Sequence, residues 1–239
     1  MTPSSQPNRS LRQLWLVLLV AAFIGGVAGA LVAQWRGGGA VRAYLLANPQ
    51  VLREAAEALR QADMAEALTP VRAEVERPFA GAVLGNATGR HTLVEFTDYA
   101  CTYCRRSIGD VQALIGRDPQ LKVVIRELPI LSPDSASAAR MALAAARQGR
   151  YPAFHAALFA ADGPSAANIA AAARVAGLDP ARAAKDAADP AVEAEIESNL
   201  ALARKLGFTG TPGWVAGKEV LTGAVGAEAL AAALAKAEK

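Results

Sequence analysis

The chain has 239 residues, of which 53% are hydrophobic and 20% are charged, and its formal net charge is +3. This length is enough for one well-buried core with additional segments. Basic and acidic residues are interspersed rather than concentrated on one stretch, which argues against a nucleic-acid-binding protein, and we expect no nucleic-acid partner.

An uncharged apolar segment lies close to the N-terminus. Leu14 to Ala33 contains no charged residue, and about 20 apolar residues are enough to cross a bilayer as a helix. Trp15 and Trp35 lie near its ends, where indole rings favour the interface between membrane and water. We therefore expect residues 14–35 to form a transmembrane anchor.

A cleavable signal peptide is the alternative to this anchor. Ala28-Gly-Ala30 has the small residues of a cleavage site, but a signal peptide usually has an apolar region of only about 7–15 residues. The anchor is the favoured interpretation, with residues 1–13 as a cytoplasmic N-terminus.

The next segment has the hydrophobic periodicity of helices. Apolar residues recur at mostly helical spacings from Val41 to Leu68, and Asn48-Pro49 interrupts the pattern, which predicts two helices preceded by a flexible joint at Gly37-Gly-Gly39. The apolar stripe must be covered by something. We expect residues 40–70 to be an oligomerisation extension; the membrane surface and the rest of the chain are the alternatives.

A β-α-β unit follows after a linker predicted from Thr69 to Ala80. Val83 to Gly89 is predicted to form a short strand and a turn, His91 to Thr97 a strong strand, and Leu121 to Glu127 another strand. A helix ending at about Gly116 separates the last two. This order implies that they pair in parallel.

An all-helical block separates this unit from the final strands, at about residues 132–206. Two short strands with a turn at Gly217-Lys218 are predicted to form a hairpin, and Ala227 to Glu238 a closing helix. The helices predicted within the block are Ser132 to Gln148, Tyr151 to Ala160, Ser165 to Ala176 and Pro190 to Leu206.

The only two cysteines of the chain form the motif Cys101-Thr-Tyr-Cys104 where the strong strand meets its helix. At a helix N-terminus, backbone N–H groups and the helix dipole stabilise a thiolate at Cys101, and Cys104 lies on the same face, close enough for a disulfide. A structural zinc site usually needs four Cys or His ligands. We therefore predict dithiol redox chemistry with no metal or other cofactor; half a metal site or two incidental buried thiols are the alternatives.

Three motifs in this order resemble the DsbA-like family of bacterial envelope thiol–disulfide oxidoreductases. They are Phe96-Thr-Asp-Tyr-Ala-Cys-Thr-Tyr-Cys, Arg126-Glu-Leu-Pro-Ile-Leu and Gly207-Phe-Thr-Gly-Thr-Pro. The resemblance covers roughly Val83 to the C-terminus. It implies an α/β thioredoxin-like fold with an inserted α-helical domain, which we place at residues 80–239.

The segment from Val41 to Ala65 further resembles the N-terminal extension of the ScsC-like (suppressor of copper sensitivity) branch of this family. Some members of that branch form trimers through such an extension and act as disulfide isomerases. The resemblance therefore implies a homo-oligomer, with a trimer as one expected form.

The resemblance also implies roles for the motif residues. Cys101 is the expected nucleophile, and Cys104 resolves the mixed disulfide. Thr102 and Tyr103 bring no positive charge, so we expect Cys101 to be less acidic than in the strongest oxidants. Pro212 corresponds to the cis-proline of the family.

Expectations also follow for other polar residues near the motif. Thr211 is expected to offer backbone groups to an extended substrate chain. Glu95 is either an exposed residue of an alternating strand or a buried carboxylate that shifts the cysteine pKa values. Asp98 is expected to be a turn or capping group, and His155 a packed helix residue. Arg105 and Arg106 are expected to form a solvated helix face.

These features predict a membrane-tethered envelope enzyme that exchanges disulfides with protein substrates, with a preference for isomerase or reductase activity. A redox-active cysteine pair suits an oxidising compartment. We expect a single pass in the bacterial inner membrane, a periplasmic catalytic domain and a membrane redox partner. A monomeric dithiol oxidase, and a non-catalytic module whose cysteines bind Cu(I), are the alternatives.

Overall fold

A computed structural model describes residues 9–237, without the side chains of residues 9–11 and 30–38. Most of the predicted cytoplasmic N-terminus, and the side chain of Trp35, lie outside this description. The chain divides into two compact units, Met1–Leu59 and Arg60–Lys239.

The first unit is helical, and its last helix continues into the second unit. Helix α1 spans Arg9–Ala47, and α2 spans Gln50–Leu68, so the predicted break at Asn48-Pro49 is confirmed. Within α1, Arg12–Gly29 is exposed and is long and apolar enough to cross a membrane; a signal sequence shares this character.

The triple glycine Gly37–Gly39 lies inside α1, where a flexible joint was predicted. Glycine adopts helical backbone angles at a cost of about 1 kcal/mol per residue relative to alanine. Helix α1 therefore continues through the predicted flexible joint, because three glycines weaken a helix without obliging it to end.

A five-stranded sheet forms the centre of the second unit. Its order is β1-β3-β2-β4-β5, with β2 and β3 parallel, as predicted, and the other neighbours antiparallel. The central strand β2 is buried over its last five residues, because helices and loops cover both faces. The strands are β1 Val83–Gly85, β2 His91–Thr97, β3 Leu121–Glu127, β4 Gly213–Ala216 and β5 Glu219–Thr222.

Helices surround this sheet in the order that the sequence predicts, and the expected thioredoxin-like α/β fold with a helical insertion is confirmed. Helix α4, Thr102–Arg117, connects β2 to β3, and α10, Ala227–Ala237, closes the fold. The insertion consists of α5 Ser135–Arg147, α6 Tyr151–Ala160, α7 Ala166–Val175, α8 Pro180–Ala187 and α9 Pro190–Lys205.

Helix α8 is missing from the sequence-based prediction. Asp179 caps it by accepting a hydrogen bond of 2.7 Å from the backbone N–H of Arg182, and Pro180 occupies its first position. Helices are predicted from the sequence up to Ala176 and again from Pro190, which leaves this aspartate–proline pair between helices. The same pair is favourable at the start of a helix, because proline lacks the N–H that the first turn leaves unpaired.

The predicted linker is part of the second unit. A 3₁₀ helix spans Thr69–Val71, and α3 spans Arg72–Val75. The side chains of Val71 and Val75 are buried in an apolar cluster that includes Phe96 of β2. The interpretation as a linker is therefore wrong, since these valines give the segment an apolar face that packs on the sheet.

A buried arginine fastens this segment to the sheet. The Arg126 guanidinium, on β3, donates hydrogen bonds to the backbone carbonyl oxygens of Glu74, Val75 and Arg77. It also donates to Glu195 Oε1 at 2.7 Å and to Asn199 Oδ1 at 2.9 Å. One side chain thus joins the end of α3 to β3 and α9.

Candidate active site

The two cysteines lie where β2 gives way to α4. Cys101 is the N-cap residue of α4, and its sulfur accepts a hydrogen bond of 3.5 Å from the backbone N–H of Cys104. Both thiols are free, and only Cys101 retains a small exposed fraction, 5%, while Cys104 is fully buried. The Cys101 sulfur is therefore the one that a substrate can reach.

The two thiols have opposite acidities. The hydrogen bond from the Cys104 thiol, together with Thr211 and with backbone N–H groups at the start of α4, lowers the pKa of Cys101 from 9.0 to about 5, although burial opposes this. Burial raises the pKa of Cys104 far above its ordinary value, and the hydrogen bond to Cys101 and the charge of Glu95 add to this. At neutral pH the pair therefore consists of one thiolate and one thiol.

The loop before β4 faces the cysteine pair. The Thr211–Pro212 peptide bond is cis, as the resemblance implies. The Cys101 thiol donates a hydrogen bond of 3.2 Å to the carbonyl oxygen of Thr211. Trp214, the second residue of β4, is fully buried and donates from its indole N–H to the Gly223 carbonyl at 2.9 Å, which holds the start of the hairpin together.

Glu95 lies in the interior on β2, opposite Trp214 of β4 and Ile125 of β3. It is fully buried, and neither carboxylate oxygen has a hydrogen-bond partner within the described residues. Burial raises its pKa to about 8. The interpretation of Glu95 as an exposed strand residue is therefore wrong, because β2 is a central strand covered on both faces.

The residues between and after the cysteines are at the surface. Thr102 is exposed, and the Tyr103 side chain is 55% exposed. The guanidinium of Arg106 lies 5.6 Å from the centre of the Tyr103 ring. Arg105 is partly buried and pairs at 3.8 Å with the exposed Asp162. The predicted solvated face thus holds for Arg106 and only partly for Arg105.

Asp98 organises the loop before the cysteines, as expected for a turn group. Its Oδ1 accepts hydrogen bonds from the Ala100 N–H at 2.9 Å and from the Ser135 hydroxyl at 2.7 Å. Its Oδ2 accepts from the N–H groups of Ile130 and Leu131 at 2.8 and 2.9 Å. One buried carboxylate therefore joins the loop of the motif to the start of the helical insertion.

A second buried polar cluster escaped the sequence analysis. Glu127 Oε1 accepts hydrogen bonds from the Tyr151 hydroxyl at 2.6 Å and from the Tyr99 hydroxyl at 3.1 Å. His155 Nδ1 lies 3.1 Å from the Tyr99 hydroxyl, and burial lowers the pKa of this histidine to about 3. Burial also raises the pKa of Glu127 to about 8. The charged pair Arg126-Glu127 at the end of the apolar run of β3 was the available signal.

No group of three or more His, Cys, Asp or Glu side chains in the described part of the chain is arranged to hold a metal ion.

A nucleophilic thiol at a helix N-terminus, a buried partner thiol and a cis-proline loop beside them define the class of thiol–disulfide oxidoreductases. The chain belongs to the DsbA-like thioredoxin family, since residues 92–235 match the family described as DSBA-like thioredoxin domain. Residues 38–66 match the family described as Copper resistance protein ScsC N-terminal domain.

Solved structures support this assignment. A thioredoxin-like oxidoreductase from Silicibacter pomeroyi DSS-3 is 44% identical, with 65% of this chain and 91% of that chain covered, at a TM-score of 0.63. Proteus mirabilis ScsC in a transitional conformation is 28% identical, with 82% and 91% covered, at a TM-score of 0.65.

A curated relative shares part of its length with this chain. It is the Na⁺/H⁺ antiporter NhaA of Herminiimonas arsenicoxydans, which is 31% identical over 169 residues, covering 69% of this chain. The match takes up 26% of that protein, so the chain spans about a quarter of the length of this relative.

Proposed function

We propose that this protein exchanges disulfides with protein substrates through Cys101 and Cys104, and that it acts mainly as an isomerase or reductase. One observation carries the proposal. The reachable sulfur, Cys101, has a pKa lowered to about 5, beside a partner thiol, Cys104, whose pKa is strongly raised. Such a pair presents a nucleophile at neutral pH and retains its second proton.

The exchange begins when the Cys101 thiolate attacks one sulfur of a substrate disulfide. A mixed disulfide forms, and the other substrate sulfur leaves as a thiolate. If a substrate thiolate then attacks the mixed disulfide, the substrate is rearranged and Cys101 is regenerated. If Cys104 loses its proton and attacks Cys101, the substrate leaves reduced and Cys101–Cys104 becomes a disulfide.

The raised pKa of Cys104 affects which of the two attacks on the mixed disulfide is faster, the one by a substrate thiolate or the one by Cys104. A thiol with a raised pKa is seldom a thiolate, so the attack of Cys104 on the mixed disulfide is slow. A long-lived mixed disulfide gives the substrate time to rearrange, which supports the isomerase. Glu95, whose charge contributes to the raised pKa of Cys104, is the group that we propose to accept the proton of Cys104.

Substrate binding is proposed at the cis-proline loop. The Thr211 carbonyl already contacts the Cys101 sulfur, so an extended chain linked to Cys101 would pass the backbone of Thr211 and pair with it as an added strand. Pro212 holds this part of the loop, and the exposed Thr102 and Tyr103 form the rim that the substrate meets.

The N-terminal extension supports self-association, with a trimer as one form. Val41, Tyr44, Leu52 and Leu59 are each more than half exposed, so this part of the described chain leaves apolar side chains uncovered. The match of residues 38–66 to the ScsC N-terminal domain points in the same direction.

We also propose that α1 anchors the protein in the bacterial inner membrane, with the catalytic unit in the periplasm. The apolar helix and the ScsC match support this location. An isomerase must be kept reduced in an oxidising compartment. A membrane redox partner that reduces the Cys101–Cys104 disulfide is therefore part of the proposal.

The test is reactivation of a scrambled-disulfide ribonuclease by the reduced full chain in detergent micelles. The Leu52→Asp/Leu59→Asp variant places charge on the exposed apolar residues of α2. Ala58→Asp is the control, since it adds charge to the same helix about 120° away from Leu52. We expect reactivation by the wild type and by the control, and a several-fold loss, with a lower oligomeric mass in light scattering, for the double variant.

Two other results separate the alternatives. Efficient oxidation of a reduced substrate by the disulfide form, with no reactivation by the dithiol form, would identify an oxidase. Equal activity and equal mass in all variants would remove the role of the extension while leaving the chemistry of the cysteine pair intact.

A further inference from the structure

A groove lies beside the cysteine pair, with a volume of about 810 Å³. Its walls come from α2, from the start of α4, from the cis-proline loop and from the end of the hairpin. Residues that line it and bear on the argument are Arg60, Tyr103, Arg106, Thr209, Thr211 and Thr222. The groove therefore adjoins Cys101 through Thr211, whose carbonyl oxygen contacts the Cys101 sulfur.

Two guanidinium groups line this groove. Arg106 lies over the Tyr103 ring at 5.6 Å and forms no ion pair among the described residues. Arg60 donates a hydrogen bond of 2.9 Å to the sulfur of Met64, which orients it on α2. In the part of the chain that the structure describes, the residues that line the groove include these two guanidinium groups and no carboxylate.

We propose that this groove selects substrates by binding an acidic side chain that lies within a few residues of the reacting cysteine. The inference rests on the proposed exchange reaction and adds Arg60 and Arg106 to it as specificity-determining residues. A substrate joined to Cys101 has to pass Thr211, and consecutive residues of an extended chain advance about 3.3 Å each. A side chain one to three residues from the substrate cysteine is thereby brought to the groove.

The chemistry favours a carboxylate. The planar guanidinium of arginine matches the two oxygens of a carboxylate, and it keeps its charge at every physiological pH. The exposed hydroxyls of Thr209 and Thr222 can donate further hydrogen bonds. A lysine at the same substrate position would face two like charges. The groove should therefore favour an acidic side chain and disfavour a basic one.

The experiment uses disulfide-linked dimers of a short peptide with one cysteine. Glu, Gln or Lys is placed in turn at each of the three positions on either side of the cysteine. Second-order rates of reduction by the reduced full chain, in micelles of a nonionic detergent, are measured at low salt by acid quenching and mass spectrometry. We expect at least one position where Glu reacts about two to five times faster than Gln, and Gln faster than Lys.

The variants R106Q and R60Q test whether the groove is responsible. Each is expected to move the Glu-to-Gln rate ratio towards one. R105Q is the matched control, since it removes the same charge one residue away but does not line the groove, and its ratio is expected to stay at the wild-type value. Because both peptides meet the same thiolate, the ratio is insensitive to a change in the pKa of Cys101.

Three results would overturn the inference. A ratio of one at every position in the wild type removes the selectivity itself. A ratio that survives in the R60Q/R106Q double variant, or that falls equally in R105Q, shows that the groove does not cause it. If no peptide is reduced at all, the proposed exchange reaction fails together with the groove; if all peptides are reduced equally, only the groove fails.

Discussion

The Cys101 thiol donates a 3.2 Å hydrogen bond to the carbonyl oxygen of Thr211, across 110 residues of sequence. The contact brings together the start of α4 and the loop before the hairpin, so the nucleophile and the proposed substrate-binding backbone form one site. When Cys101 ionises, its sulfur no longer has a proton to donate. The Thr211 carbonyl is then free to accept from the backbone of a substrate.

The reactivity of Cys101 should depend on pH in a characteristic way. With a pKa of about 5, the rate of alkylation by iodoacetamide should rise with a midpoint near pH 5 and stay level through neutral pH. Cys104, buried and with a strongly raised pKa, should not react in the native protein. Mass spectrometry of the alkylated protein and thiolate absorbance at 240 nm measure both.

The Cys104→Ala variant tests the cause of this acidity. The hydrogen bond from the Cys104 thiol is the largest contribution that lowers the pKa of Cys101. Its removal should shift the midpoint of alkylation upward. An unchanged midpoint would mean that the N–H groups of α4 suffice alone.

Glu95→Gln should stabilise the reduced protein at neutral pH. A folded-state pKa of about 8, above the ordinary 4.5, means that the native state binds the proton more tightly than the unfolded state does. Stability is therefore lost as the pH rises from about 4.5 to about 8. The neutral amide avoids this loss, so we expect a gain on the order of 1–3 kcal/mol at pH 7 and little gain at pH 4.

Urea unfolding of both proteins across this pH range measures the difference. Turnover is the second readout, because the variant lacks the proposed proton acceptor for Cys104 and should release reduced substrate more slowly. A stability difference that is constant with pH would show that Glu95 is already ionised in the folded protein.

Asp98→Asn should destabilise the fold by about 2–4 kcal/mol. The amide can accept at its single oxygen only, so two of the four hydrogen bonds that Asp98 accepts lose their acceptor. Chemical denaturation gives the size of the effect. Ser135→Ala removes one of the four donors to Asp98, together with the hydroxyl that contacts the backbone N–H and the hydroxyl of Ser132. It leaves the other three donors to Asp98 in place, so it should cost less than Asp98→Asn, and an equal loss in both variants would contradict the assigned network.

Tyr151→Phe should cost more at pH 9 than at pH 5. The Tyr151 hydroxyl donates the shorter of the two hydrogen bonds to Glu127, and this bond favours the ionised carboxylate. Since the pKa of Glu127 is about 8, ionised Glu127 predominates only above that pH. We expect a loss of about 1–3 kcal/mol at pH 9 and a smaller loss at pH 5, measured by thermal or urea unfolding.

Tyr99→Phe provides the comparison, because its hydrogen bond to the same oxygen is 3.1 Å long. Tyr99→Phe should also cost more stability at pH 9 than at pH 5, but the cost should be smaller than that of Tyr151→Phe. A larger effect of Tyr99→Phe would instead point to its contact with His155 as the main interaction.

The parts of this structure that short-range patterns encode were predictable. The bounds of β2 and β3 follow from apolar runs with β-branched residues, and the position of Cys101 follows from a strand that passes directly into a helix. Asp98 was recognisable as a turn group because aspartate often accepts hydrogen bonds from nearby N–H groups.

What the sequence could not reveal depends on contacts between distant residues. Glu95 is fully buried because β2 has a neighbouring strand on each side and other elements packed on both faces of the sheet. No local sequence pattern predicts this arrangement. The cluster of Glu127 with Tyr99 and Tyr151 joins three separate elements. The groove beside Cys101 likewise depends on Arg60, which α2 supplies from outside the family's catalytic region.

The buried Arg126 determines where a fragment that contains the catalytic domain has to begin if it is to be fused to another protein. A piece beginning at residue 80, where the sheet is about to start, would lack the three backbone carbonyls to which this guanidinium donates. Arg126 would keep Glu195 and Asn199, but each buried donor left without an acceptor costs about 1–3 kcal/mol, so the loss is a large share of the stability of a domain. A hybrid protein built from this domain should therefore include residues 60–79, because they are part of the folded domain and not a linker to it.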